Sequence, residues 1–213
     1  MSLNIQQLYF RYKSTQPLIE NLSLHIKQGQ IVALTGVSGY GKSTLIQLLI
    51  GTLKPTKGVI SFAQKTFVDE KQILTPQARG IGVVFQDYAL FPHLTVRQNI
   101  GFGLKHNQQA KQKEIDQWLK IFSLGDVAFS YPHQLSGGQM QRVAIARALA
   151  PKPTLLLMDE PFSNLDPNLA QRIRQELKPL FNQLNMTVLL VTHHRADADH
   201  IADEIIDFST LNH

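Results

Sequence analysis

The sequence predicts an α/β fold with a mainly parallel central sheet. Two observations carry this. A short apolar strand, 31–34, runs directly into the glycine-rich stretch Gly36-Val37-Ser38-Gly39-Tyr40-Gly41-Lys42-Ser43 and from there into a helix. Two more apolar strands, 155–158 and 188–191, stand on either side of a stretch with helical periodicity. Strands that alternate with helices lie side by side in parallel, with both faces of the sheet covered.

The elements follow in order. Apolar and polar residues alternate near the start, most clearly in Leu18-Ile19-Glu20-Asn21-Leu22-Ser23-Leu24-His25-Ile26, the period of a strand. Residues 43–49 read as the helix after the glycine loop. Pro55 and Gly58 break the chain, and further strands follow, 81–85 among them. Residues 94–104 and 108–122 read as helices, the second with Trp118, Leu119 and Phe122 on one apolar face. A helix over 138–150, the strand 155–158, a helix over 168–184, the strand 188–191 and a last strand over 204–208 complete the order. One domain over 1–213 is expected, with 87–136 as a helical subdomain inserted into a core made of 1–86 and 137–213.

Composition narrows the function. The chain is 43% hydrophobic and 17% charged, as expected of a soluble globular protein. It has no cysteine, which excludes disulfides, thiol chemistry and cysteine zinc sites. No apolar run approaches the roughly 20 residues of a membrane helix, so service to a membrane would run through another polypeptide. The start does not read as a signal peptide. The net charge is +5, but the 21 Lys and Arg are scattered from Arg11 to Arg195. That is a solvated basic surface, and no nucleic-acid partner is expected.

The glycine loop fits a nucleoside triphosphate. Glycines let backbone N–H groups approach phosphate oxygens, and the helix behind them presents its positive end to the same anion. Lys42 supplies charge to the β- and γ-phosphates, and the Ser43 hydroxyl suits a Mg²⁺ ligand. The strand 155–158 delivers Asp159 to the sheet edge where ligands bind in such folds, in position to hold Mg²⁺. Glu160 follows as a general base for the attacking water. Ser136, Gly137 and Gly138 open a helix and make a second anion site.

Leu135-Ser136-Gly137-Gly138-Gln139, lying between the glycine loop and Asp159-Glu160, makes the chain resemble the ATP-binding cassette (ABC) ATPases over nearly its whole length. The resemblance implies a P-loop NTPase, RecA-like core, an N-terminal antiparallel β-subdomain and the helical insertion. It implies ATP and Mg²⁺, with phosphates held by Gly36, Ser38, Gly39, Gly41, Lys42, Ser43 and Thr44, and adenine stacked on Tyr12. Gln86 would contact metal and water and link the site to the helical subdomain. His193 would be the switch that senses the γ-phosphate. Ser136, Gly137, Gly138 and Gln139 would cap the γ-phosphate bound to a second copy, so that two copies sandwich two ATP head to tail. Asp166 belongs to the loop that crosses this interface. Tyr40, Asn164 and His194 depart from the small residue, Ala and Asp usual at their positions.

The stretch from Val84 to Val96 looks like the Gln loop of bacterial importers for ferric iron, polyamines, anions or sugars. It implies an ATPase peripheral to the cytoplasmic face of the plasma membrane. Its partners would be permease subunits and, indirectly, a solute-binding protein, with ferric iron as the cargo. Tyr88, Phe91 and Phe102 would line the groove for the permease's coupling helix. The stop at His213 implies a short variety, or a truncation, without a C-terminal regulatory domain. The alternatives are an exporter or force-transmitting ATPase, and a soluble ABC ATPase acting on nucleic acid. The latter class usually carries a coiled-coil insertion, zinc cysteines or a tandem cassette, none of which is read here.

Overall fold

A computed structural model describes residues 2–13, 16–37, 39–105 and 107–211. Two sheets organise them. Strands β1 (Ser2–Phe10), β2 (Ile19–Lys27), β4 (Lys57–Phe62) and β5 (Lys65–Val68) form an antiparallel sheet in the order β2-β1-β4-β5. Strands β3 (Ile31–Thr35), β6 (Gly82–Val84), β7 (Leu155–Asp159), β8 (Thr187–Val191) and β9 (Glu204–Asp207) form a parallel sheet in the order β6-β7-β8-β3-β9. Helices α1 (Lys42–Ile50), α2 (Pro76–Arg79), α3 (Val96–Gly101), α4 (Gln108–Ile121), α5 (Gly137–Leu149), α6 (Pro167–Gln183) and α7 (Arg195–Ile201) connect them. No helix of the described residues is long and apolar enough to cross a membrane.

The inner parallel strands β3, β7 and β8 are almost wholly apolar because both of their faces are covered. Successive residues point to opposite sides, and this divides the core in two. Val32, Leu34, Leu155, Leu157, Leu189 and Val191 pack with α1 and the antiparallel sheet. Ile31, Ala33, Leu156, Met158, Val188 and Leu190 pack with α3 to α7. Trp118 and Leu119 of α4 and Phe122, its C-cap, join this second cluster, as their spacing predicts.

Several boundaries differ from the sequence expectation, each for a local reason. The helix expected over 94–104 is only Val96–Gly101, because Thr95 stops it at a capping box with Gln98. The strand expected over 81–85 is Gly82–Val84, an edge strand that pairs with β7 alone. The helix expected from Asn168 begins one residue earlier, at Pro167. Proline suits a first helical position, and Asp166 caps the turn. The last strand ends at Asp207, whose carboxylate accepts from the Ser209 N–H at 2.9 Å and turns the chain.

Candidate active site

β3 ends at Thr35, and the chain then turns through the glycine loop into α1. Gly41 is where glycine is required. Its φ is +100, and an added Cβ would lie 3.2 Å from Leu18 Cγ. Lys42 is buried, and its Nζ donates to the carbonyls of Gly36 and Val37 at 2.7 and 2.8 Å. Burial pulls the Lys42 pKa down, while the carboxylates of Glu160, Asp159 and Asp207 oppose that pull. The loop therefore carries its positive charge inside its own curve. The Tyr40 ring is exposed. Ser38 lies outside the described residues.

β7 brings Asp159 to the loop, where Ser43 Oγ donates to Asp159 Oδ1 at 3.1 Å. Burial pushes the Asp159 carboxyl up, the Ser43 hydroxyl lowers it, and the neighbouring charge of Glu160 raises it again. A hydroxyl beside a carboxylate that is costly to ionise unaided is a hard-oxygen donor pair suited to Mg²⁺. The residues present therefore fit the metal.

Glu160 follows with a left-handed backbone, φ 44, and its N–H donates to the Val191 carbonyl at 2.8 Å. The turn directs its side chain toward the end of β8, where His193 Nδ1 lies 2.8 Å from Glu160 Oε2. Gly39, Gly41, Lys42, Ser43, Thr44, Gln86, Glu160 and His193 line one cavity of about 440 Å³. A larger hollow of about 670 Å³, lined by Lys54–Gly58 and Val68–Ile73, holds none of the motif residues. Tyr12 sits at the rim of the loop, with its Oη 3.3 Å from Thr44 Oγ1 and its ring edge-on to Phe10. It is 43% exposed.

Sequence reasoning missed the support behind His193. The His194 N–H donates to Thr192 Oγ1 at 3.0 Å, and Thr192 Oγ1 donates to Asp197 Oδ2 at 2.9 Å. Asp197 in turn pairs with Arg174 of α6, and all three side chains are buried. The His194 ring rests against His193, with centroids 3.9 Å apart. No local pattern marks Arg174, which meets Asp197 from a different helix.

Ser136–Gln139 do not line the cavity that holds Lys42. Ser136 is the N-cap of α5. Its Oγ accepts from the Gln139 N–H at 3.3 Å, and Gln139 Oε1 accepts from the Ser136 N–H at 2.9 Å. Gly138 lets α5 pack tightly on α6, since a Cβ there would fall 2.6 Å from Leu169 Cδ2. Asp166 accepts from the Asn168 and Leu169 N–H groups at 3.0 and 3.2 Å. Its carboxylate is thus engaged in capping α6 within the same chain.

Comparison with known proteins fits this geometry. Residues 19–163 match the profile of the ABC transporter family. The Fe(3+) ions import ATP-binding protein FbpC of Fusobacterium nucleatum is 44% identical over 208 residues, 96% of this chain and 55% of that protein. A probable sulfate/thiosulfate import ATP-binding protein CysA of Chlorella vulgaris is 44% identical over 97% of this chain and 86% of its own length. The spermidine/putrescine import ATP-binding protein PotA of Legionella pneumophila is 43% identical over 97% of this chain and 56% of its own. The chain spans about half the length of FbpC and PotA. Among solved structures, cbiO1 of Clostridium perfringens, part of the ABC transporter complex cbiONQ, superposes with a TM-score of 0.85 at 31% identity, covering 96% of this chain and 83% of that one. An ATP-binding cassette solved as a dimer, in a post-hydrolysis state with ADP and Pi, superposes with a TM-score of 0.82 at 32% identity, covering 96% and 93%.

Proposed function

This chain belongs to the ABC transporter family, and we propose that it is the ATP-hydrolysing subunit of an importer, coupling ATP-driven closure of a dimer to movement of a small solute. The observation that carries the reading is the meeting of Lys42, Ser43, Gln86, Glu160 and His193 around one cavity, with Asp159 bonded to Ser43. A phosphate site, a metal site and a candidate base are thereby in reach of one triphosphate.

The glycine loop and the first turn of α1 bind the phosphates through backbone N–H groups, and Lys42 leaves the carbonyls of Gly36 and Val37 for the β- and γ-phosphate oxygens. Ser43 and Asp159 would hold Mg²⁺, with Gln86 as a further oxygen donor. The ion would supply charge neutralisation at the phosphates. Glu160 orients and deprotonates the attacking water, and His193 donates to the γ-phosphate as its bond breaks. Tyr12 stacks on adenine. Ser136–Gly138, placed outside their own chain's cavity, cap the γ-phosphate of a second copy. Two ATP molecules then join two copies, and hydrolysis releases them.

The partners in this reading are permease subunits and, through them, a solute-binding protein, at the cytoplasmic face of the plasma membrane. Relatives named for import of ferric ions, sulfate and polyamines support a small solute. Ferric iron is our choice among these, from the wording of Val84–Val96.

Glu160→Gln tests the mechanism. The variant should bind ATP–Mg²⁺, lose turnover by about 10²–10⁴-fold, and run as a stable dimer in size-exclusion chromatography. A monomer at saturating ATP would sink the homodimer. Detergent capture of partners from the native source tests transport. A polytopic membrane protein supports it, and a soluble or nucleic-acid partner alone overturns it.

A further inference from the structure

Gln86 and Glu160 must face the same water, yet the ladder between their strands does not reach them. The pairing of β6 with β7 ends at Val84 and Met158, and Gln86 and Glu160 each stand two residues beyond it. A polar turn takes over where the ladder stops. Ser163 Oγ donates to the Glu160 carbonyl at 2.9 Å, and the Ser163 N–H donates to the same carbonyl at 3.3 Å. One residue on, Asn164 Nδ2 donates to the Gln86 carbonyl at 2.9 Å.

The Gln86 segment is gripped from its other side as well. Tyr88 and Ala89 have left-handed backbones, φ 62 and 45, and their carbonyls accept from the Arg147 guanidinium of α5 at 2.9 and 2.6 Å. The Asn164 turn also runs close to α5, where a Cβ added at Gly137 would lie 3.8 Å from the Asn164 carbonyl. A segment with two strained residues in succession needs its neighbours to hold it. Arg147 does so beyond Gln86, and Asn164 does so at Gln86 itself.

We propose that Asn164 is a positioning residue for hydrolysis: its side-chain amide fixes Gln86 at a set offset from Glu160, so that the two groups facing the water move as one. This rests on the reading of the chain as an ATPase in which Gln86 and Glu160 hold that water. An alanine at this position, usual in the resembled family, has no donor for the Gln86 carbonyl.

The test is steady-state turnover of ATP–Mg²⁺ by the full chain. Asn164→Ala should lower kcat by about tenfold, the scale of one lost hydrogen bond, and leave the KM for ATP unchanged. Asn164→Asp fills the same volume without a donor and should show the same loss. Asn164→Gln restores a donor and should recover part of the rate. An Asn164→Asp variant at the wild-type rate overturns the proposal, as does a loss that appears in KM and not in kcat. If the wild-type chain hydrolyses no ATP, the functional reading itself falls and takes this one with it.

Discussion

Helices α1 and α5 both open on glycine beside a proposed phosphate, and they are held in opposite ways. α1 starts from Gly41, which brings no side-chain cap, and its first turn faces a cavity lined by residues from several distant segments. α5 starts from Ser136, closed by a reciprocal capping box with Gln139, and has the 164–165 turn, Leu169 and the Tyr88 hydroxyl beside its first turn. The first site draws a lysine, two carboxylates, a glutamine and a histidine from one chain. The second has a hydroxyl and bare amides. An anion at α5 would therefore draw its countercharges from elsewhere, which suits the proposed nucleotide of a second copy.

The ends of α1 differ in the same sense. Its C-terminal turn is closed by Arg79, whose guanidinium donates to the Leu48 and Leu49 carbonyls at 2.7 and 2.6 Å and whose Nε donates to the Leu74 carbonyl at 3.2 Å. Burial lowers the Arg79 pKa to about 10, so it remains charged at neutral pH. A cation at this end also complements the helix dipole whose positive end faces the proposed phosphate site. Gly51 is needed here, because a Cβ would lie 2.7 Å from the guanidinium.

Breaking the α1 side should cost most. Arg79→Ala strands three carbonyl contacts in the core and should destabilise the chain by about 3 kcal/mol, measured by denaturant unfolding. A loss below about 1 kcal/mol would show that water replaces the guanidinium easily. Ser136→Ala breaks the α5 side and removes one cap, for about 1 kcal/mol of stability. ATP binding to the separate chain should be untouched while ATP-driven dimerisation weakens. Equal weakening of both would erase the distinction between the two helices.

Asp159 should give a weaker effect, visible through pH. The folded-state pKa of Asp159 is raised above its unfolded value, chiefly by burial. Just above the ordinary carboxylate range the folded chain keeps a proton that the unfolded chain has released. The stability this group contributes is therefore present at low pH and lost as pH rises through that window. Asp159→Asn should remove the slope, so the ligand-free variant should gain on the wild type in thermal melts as pH rises from acid to neutral. Parallel melting curves would rule this out.

What the sequence made legible was contiguous. The glycine loop, the apolar strands and the Asp159-Glu160 pair are each written within a few residues, and their periods and spacings carry the chemistry directly. The ends of elements were harder, because one residue such as Thr95 decides where a helix starts. The supports of the site were not legible at all. Asn164 reaches Gln86 across 78 residues and Arg147 reaches Tyr88 across 59. Such bonds depend on which strands and helices the topology makes neighbours, and no local pattern encodes that.

The alternation along β3, β7 and β8 has a consequence for how the molecule fails. Odd and even positions of these strands belong to opposite hydrophobic cores, so the sheet is a party wall rather than the edge of either chamber. Neither side can be dismantled while the other stands, because removing one leaves half of each strand facing water. The nucleotide loop, hung from the rim of that wall, is thereby insured by both sides at once.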